Sequence, residues 1–256
     1  MRVMSCNIRC DHGGDGEDNW VHRRDLCIDV MLSREPDIVC CQEVWHGQAA
    51  DLRRGLAGYT WLGTIDEPDG RGPLNSVFYR TDRFTPTSAG AYWLSKTPHV
   101  CGSRNWRSRC SRLATWVRLL DGASGKELRI VNTHLDHISQ SAREGQARVI
   151  NEDAAAYNED FPQLLTGDMN AEADNPAIER FRQGGWRDTW QAARGEDDPG
   201  RTFHEFRGHA YDGPHGRIDW IFARGAVRAL GAEVVTDHRD GRYPSDHYFI
   251  TADVEL

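Results

Sequence analysis

Six short segments of this 256-residue chain end on side chains that bind metals or move protons. Val3–Cys6 runs into Asn7, Ile38–Gln42 into Glu43, Ile130–Thr133 into His134, and Leu164–Gly167 into Asp168-Met169-Asn170. Arg217-Ile218 precedes Asp219, and Ser245 precedes Asp246-His247. Strands of one sheet end close together, so polar residues at their ends converge. Carboxylates, amides and imidazoles with no nucleophilic Ser or Cys among them suit a hard metal ion and a phosphate ester.

The elements that must carry these residues are legible from periodicity. Met1–Cys6 and Asp37–Gln42 read as buried strands, separated by a Gly- and Asp-rich loop over Asp11–Asn19 and a helix over Trp20–Ser33. In that helix Leu26 with Val30, and Cys27 with Met31, share a face at i, i+4, and Pro36 stops it. A helix follows over His46–Leu56. Short strands are then predicted at Tyr59–Gly63, Leu74–Arg80, Ala89–Leu94, Leu113–Leu120 and Leu128–His134. Turn chemistry separates them, as in Asp66-Glu67-Pro68-Asp69-Gly70. Ala142–Asn158 is a predicted helix, Gln163–Gly167 a strand and Ala177–Gln183 a short helix. Thr202–Phe206, Ile218–Phe222, Ala232–Thr236 and Tyr248–Val254 are predicted late strands. The two halves loosely repeat strand, helix, strands. With no linker in view, residues 1–256 read as one domain of two packed sheets flanked by helices.

Composition sets outer limits. A content of 39% hydrophobic and 27% charged residues is that of a globular protein with a substantial core. No apolar run is long enough to span a bilayer, so no membrane insertion is expected. The seven cysteines are odd in number and lack a Cys-x-x-Cys pair, and no secretory signal is visible, so a reducing cytoplasm is expected. A net charge of −8 argues moderately against a general duplex binder. A monomer is expected.

The ordered set Asn7, Gln42-Glu43, Asn132-Thr133-His134, Gly167-Asp168-Met169-Asn170, Arg217-Ile218-Asp219 and Ser245-Asp246-His247 resembles the endonuclease/exonuclease/phosphatase superfamily over nearly the whole chain. Any one motif is weak, and six in order are strong. Trp93-Leu94-Ser95 and Gly241–His247 resemble a branch of small bacterial members. The resemblance implies a DNase I-like α/β/β/α sandwich of two mixed sheets and a phosphoesterase dependent on Mg²⁺ or Mn²⁺. It makes Glu43 the leading metal ligand, with Asn7 and Asp246 completing or ordering the shell. Asp168 orients or deprotonates the attacking water, while Asn170 and His134 contact the phosphate. Asp219 fixes the tautomer of His247 and favours its protonated form, which stabilises charge on the phosphorane. His134-Leu135-Asp136-His137 leaves open a transition-metal site, or Asp136 as a support for His134.

Substrate choice is assigned to the loops. The basic stretch of residues 104–112 offers Arg104, Trp106, Arg107, Arg109 and Arg112 for phosphate and base contacts, or a solvated loop with its Trp packed on the scaffold. His204 is a second rim candidate. The leading expectation is a phosphodiesterase of nuclease type. The alternative is a phosphatase or phosphodiesterase of small molecules or lipid headgroups, and a remote third is a non-catalytic binding module.

Overall fold

The computed structural model describes residues 1–65, 67–70, 72–195 and 198–256. Asp66, the first residue of the predicted turn at 66–70, lies outside the described residues. Two six-stranded mixed sheets pack face to face, with helices on their outer sides.

The first sheet contains β1 (Arg2–Asn7), β2 (Ile38–Val44), β3 (Tyr59–Ile65), β4 (Leu74–Arg80), β11 (Arg228–Val235) and β12 (Phe249–Glu255), in the order β11-β12-β1-β2-β4-β3. The second contains β5 (Phe84–Trp93), β6 (Leu113–Asp121), β7 (Glu127–His134), β8 (Gln163–Asp168), β9 (Arg187–Asp188) and β10 (Asp219–Arg224), in the order β5-β6-β7-β8-β10-β9. Each sheet has one parallel pair at its centre, β1 with β2 and β7 with β8. A parallel pair needs a long crossover, and α1 (Trp20–Ser33) and α3 (Gln140–Ala154) provide the two. The loose repetition in the sequence is this duplicated strand–helix–strand unit.

Alternation along the strands sorts the core into three layers. Met4, Cys6, Val39 and Cys41 face α1 and α2 (His46–Gly55). Val131 and Leu165 face α3 and α4 (Pro176–Gln183). Val3, Ile38 and Cys40 meet Val117, Ile130 and Leu164 between the sheets. At the site end of that middle layer the packing turns polar. Gln42 Nε2 donates to Asn132 Oδ1 at 2.7 Å, and Asn132 Nδ2 donates to the carbonyls of Cys41 and Ser76. These two motif residues therefore tie sheet to sheet directly beneath the site and do not enter the cleft.

Several expectations change. The helix predicted to Asn158 stops at Ala154. A short helix absent from the sequence reading, α5 (Thr189–Arg194), is capped by Asp188, whose side chain accepts from the Trp190 amide. Thr202–Phe206 is not a strand. It makes one bridge, Phe203 to His247, and then turns through two successive left-handed residues, Glu205 (φ 47°) and Phe206 (φ 58°), which turn the chain out of a ladder. No described helix is long and apolar enough to cross a membrane.

Candidate active site

Topology brings the strand-end residues together. In parallel pairs both C-termini emerge at the same edge, so β1 and β2 deliver Asn7 and Glu43 while β7 and β8 deliver His134 and Asp168 side by side. β10 runs antiparallel to β8 and begins at Asp219, opposite Asp168. His247 stands just ahead of β12.

Local backbone aims the side chains. The ladder between β2 and β4 shifts register between Cys41 and Val44, and Glu43 in that bulge has φ 62°. Asn170 has φ 46°. Two non-glycine residues in left-handed backbone at one site are strain held by the surrounding structure. Gly167 has φ 152°, and a Cβ there would overlap the Thr133 carbonyl oxygen of β7. Only glycine lets β7 and β8 close up behind the two catalytic candidates. Buried Gln48 of α2 supports the opposite wall. It accepts from the Trp45 and Asp11 amides and donates to the Arg9 carbonyl, which fixes the loop carrying Cys10.

Asn7 Nδ2 donates to both Glu43 Oε1 (3.1 Å) and Asp168 Oδ2 (3.0 Å), and the Cys10 amide donates to Glu43 Oε2 (3.0 Å). Burial works against the Glu43 charge, but the His134 ring and the Cys10 and Asn7 N–H donors outweigh it and hold the carboxyl below its ordinary range. Burial and the Arg112 charge push His134 well down, so its ring is neutral at pH 7 and the amide donors carry most of the effect on Glu43.

The Asn170 amide nitrogen donates to the Leu135 carbonyl, which fixes its orientation, and also lies 2.9 Å from His134 Nε2. His134 Nε2 therefore accepts, and its hydrogen sits on Nδ1. That Nδ1 is buried without a hydrogen-bond partner, 3.9 Å from Glu43.

Asp168 lies between two histidines, 3.3 Å from His134 Nε2 and 3.8 Å from His247 Nε2. Burial, then the Asp219 charge, raises it to about 7, against the pull of His247 and the Asn170 amide. His247 Nδ1 meets Asp219 Oδ2 at 2.8 Å. Burial alone would lower His247, but Asp219 by charge and hydrogen bond lifts it to about 10. It is an imidazolium at neutral pH.

Glu43, His134 and Asp168 bring ligand atoms within 4.8 Å of one another, as do Asp168, Asp219 and His247. The second group satisfies itself through the Asp219–His247 contact. The first crowds two carboxylates onto one amide, and His134 turns its N–H toward Glu43 while Asn170 occupies its Nε2, so the donors on offer are oxygens. That set fits a hard divalent cation better than zinc. Asp246 is buried at the cleft wall, with Ser245 Oγ on Oδ1 and Arg9 at 3.8 Å, and falls outside the two groups among the described residues.

The cleft above these residues has a volume of about 970 Å³. Asp15, Glu172, Asp174 and Glu205 line it together with Arg9, Arg112, Arg143, Trp45, Phe203 and Phe206. Of the five candidates in the 104–112 stretch, only Arg112 is among the lining residues. The Trp106 ring packs over Gly145 of α3, and its carbonyl accepts from Ser139 and Ser141. Arg104 donates to the Arg109 carbonyl, the Arg109 amide donates to Asp136, and Arg107 is exposed. His204 is also displaced from the rim. It is fully buried among Tyr243 and Tyr248, accepts from the Gly208 amide, and burial lowers it to about 3. Its neighbours Phe203, Glu205 and Phe206 reach the cleft instead.

Asp136 is consumed by the amides of Arg109, Ile138 and Ser139 and by Ser108 Oγ, so the His-x-Asp-His run builds no transition-metal cage. Arg9, paired with Asp15, and Arg143 are cleft residues that the sequence reading missed. Arg143 carried a usable signal, since it follows the Ser139 helix cap by one turn and so faces the strand ends.

Comparisons with known proteins agree with this geometry. A family model described as the endonuclease/exonuclease/phosphatase family matches residues 4–247. Nocturnin of Drosophila melanogaster is 27% identical over 170 residues, covering 61% of this chain and 25% of that protein, so the match spans about a quarter of the relative's length. An endonuclease/exonuclease/phosphatase from Bacteroides vulgatus superposes with a TM-score of 0.91 at 32% identity, covering 100% of this chain and 98% of the other. A mannosyl-6-phosphatase of Bacteroides thetaiotaomicron superposes with a TM-score of 0.90 at 28% identity, covering 100% of both chains. This chain belongs to the endonuclease/exonuclease/phosphatase family.

Proposed function

We propose that the protein hydrolyses the phosphate ester of a small, hydroxyl-rich molecule with the help of Mg²⁺ or Mn²⁺. Glu43, assisted by Asn7, holds the cation. When bound, it supplies charge to polarise the phosphoryl oxygen and to offset the developing oxyanion. Asp168, raised to about 7, is poised to take a proton from water. The water oxygen attacks phosphorus in line, the bond to the leaving oxygen breaks without a covalent enzyme intermediate, and that oxygen takes up a proton from solvent. Asn170 and His134 line the cleft beside Asp168, where the phosphate oxygens would sit. His247, protonated through Asp219, stabilises the phosphorane charge.

The observation that favours a small substrate is the composition of the cleft wall. A polynucleotide reading depends on the 104–112 stretch, and four of its five candidates lie outside the cleft lining. Besides Glu43, Asp168 and Asp246, four carboxylates line it, and these accept hydrogen bonds from hydroxyls but repel a polyphosphate backbone. The high similarity to a protein named mannosyl-6-phosphatase supports the same choice.

The test is turnover by purified protein, with Mg²⁺ or Mn²⁺, of sugar phosphates, nucleotides, nitrophenyl esters, a phospholipid panel, DNA and RNA. Sugar phosphates should be hydrolysed, with solvent oxygen entering the phosphate. Glu43→Gln should lower kcat by at least about 10³-fold and abolish the thermal stabilisation by Mg²⁺. Cleavage of DNA or RNA with inert sugar phosphates would overturn the substrate reading.

A further inference from the structure

Four arginines are buried among the described residues. Arg217 pairs with Asp188 at 2.7 Å, and Arg129 with Asp153 at 2.6 Å. Arg23 is satisfied by the carbonyls of Ile8, Arg9, Asp18 and Pro244. Arg112 differs from all three. It is 6% exposed, and no described carboxylate lies within ion-pair distance. Among the described residues its Nε is buried without a partner, and its one hydrogen bond runs from Nη2 to His137 Nδ1 at 3.3 Å.

A guanidinium only donates, so His137 Nδ1 accepts and the ring hydrogen stays on Nε2. Arg143 lines the same cleft. It spends its donors on the Asp136 carbonyl and Gln140 Oε1, again with no carboxylate. A buried cation without a counter-charge is strongly unfavourable unless an anion arrives. Arg112 opens onto the cleft that holds the catalytic candidates, beside His134.

We propose that Arg112, braced by His137, receives the extra negative charge of a phosphomonoester dianion, so that this site selects monoesters over diesters. The inference rests on the phosphoesterase reading above and sharpens it. A diester carries one negative charge on its phosphate and leaves the Arg112 cation uncompensated. A monoester carries two above its second pKa of about 6, and a terminal oxygen meets the guanidinium through charge-assisted hydrogen bonds. The same assignment makes inorganic phosphate, the product, a ligand of the site.

The experiment compares p-nitrophenyl phosphate with methyl p-nitrophenyl phosphate at about pH 8, where the leaving group is shared and only the phosphate charge differs. Wild-type protein should prefer the monoester. Arg112→Met should lower the monoester-to-diester ratio of kcat/KM by about 30-fold or more, and raise the inhibition constant for inorganic phosphate by about tenfold. Arg112→Lys keeps the charge without the fork and should retain part of the preference, which also covers a Met variant that fails to fold. Equal losses for both esters, or an unchanged ratio in Arg112→Lys and Arg112→Met alike, would overturn the proposal. Failure of wild-type protein to turn over either ester or any phosphate in the wider panel would instead count against the phosphoesterase reading.

Discussion

At the residue scale the site works by dividing charge. Asp168 and Asp219 flank His247, yet only Asp219 makes the short contact, at 2.8 Å. That contact keeps His247 cationic, while burial leaves Asp168 near 7 and available as a base. In the proposed mechanism the imidazolium is the active form, so activity should fall as pH rises through the His247 value of about 10. Asp219→Asn removes the charge that opposes burial. The alkaline limb of the pH–rate profile should then move to lower pH by at least about one unit, and kcat should fall by about 10²-fold or more. An unmoved alkaline limb would assign that limb to another group.

At the element scale the site depends on how closely the central strands approach. His134 and Asp168 are register partners on β7 and β8, and the residue before Asp168 is Gly167. Gly167→Ala would set a Cβ against the Thr133 carbonyl in backbone that disfavours any side chain. Chemical denaturation should show a loss of about 3 kcal/mol or more, with activity falling further than the folded fraction because the two partners separate. The polar bridge of Gln42 and Asn132 belongs to the same scale. It locks the sheets in the one relative position that sets Asn7 and Glu43 opposite Asp168.

At the scale of the whole molecule, the net charge of −8 and the carboxylates in the cleft agree. A protein that holds many backbone phosphates loses about 10³- to 10⁵-fold in affinity between about 50 and 200 mM salt. For a small substrate, kcat/KM should change by less than about fivefold over that range. A steep slope would restore the polynucleotide reading.

The sequence by itself determined the central strands β1, β2, β7 and β8 and the residues at their C-terminal ends. Asn7, Glu43, His134, Asp168 and Asp219 follow apolar runs or begin one, and period-two burial forces such residues to a sheet edge. The helix over Trp20–Ser33 was legible to the residue, because its apolar face and its stop at Pro36 are local signals. The Thr202–Phe206 alternation misled because left-handed backbone at Glu205 and Phe206 is set by the bridge to His247, far away in sequence. Only the tertiary structure decided which loop residues face the cleft. Trp106 turns onto α3 because Gly145 leaves room for its ring, and His204 sinks between two tyrosines supplied by the other end of the chain. Arg112, six residues beyond Trp106, is the one residue of that basic stretch to line the cleft. Strand periodicity is a local property of the chain. The direction of a loop side chain depends on partners that only folding brings near.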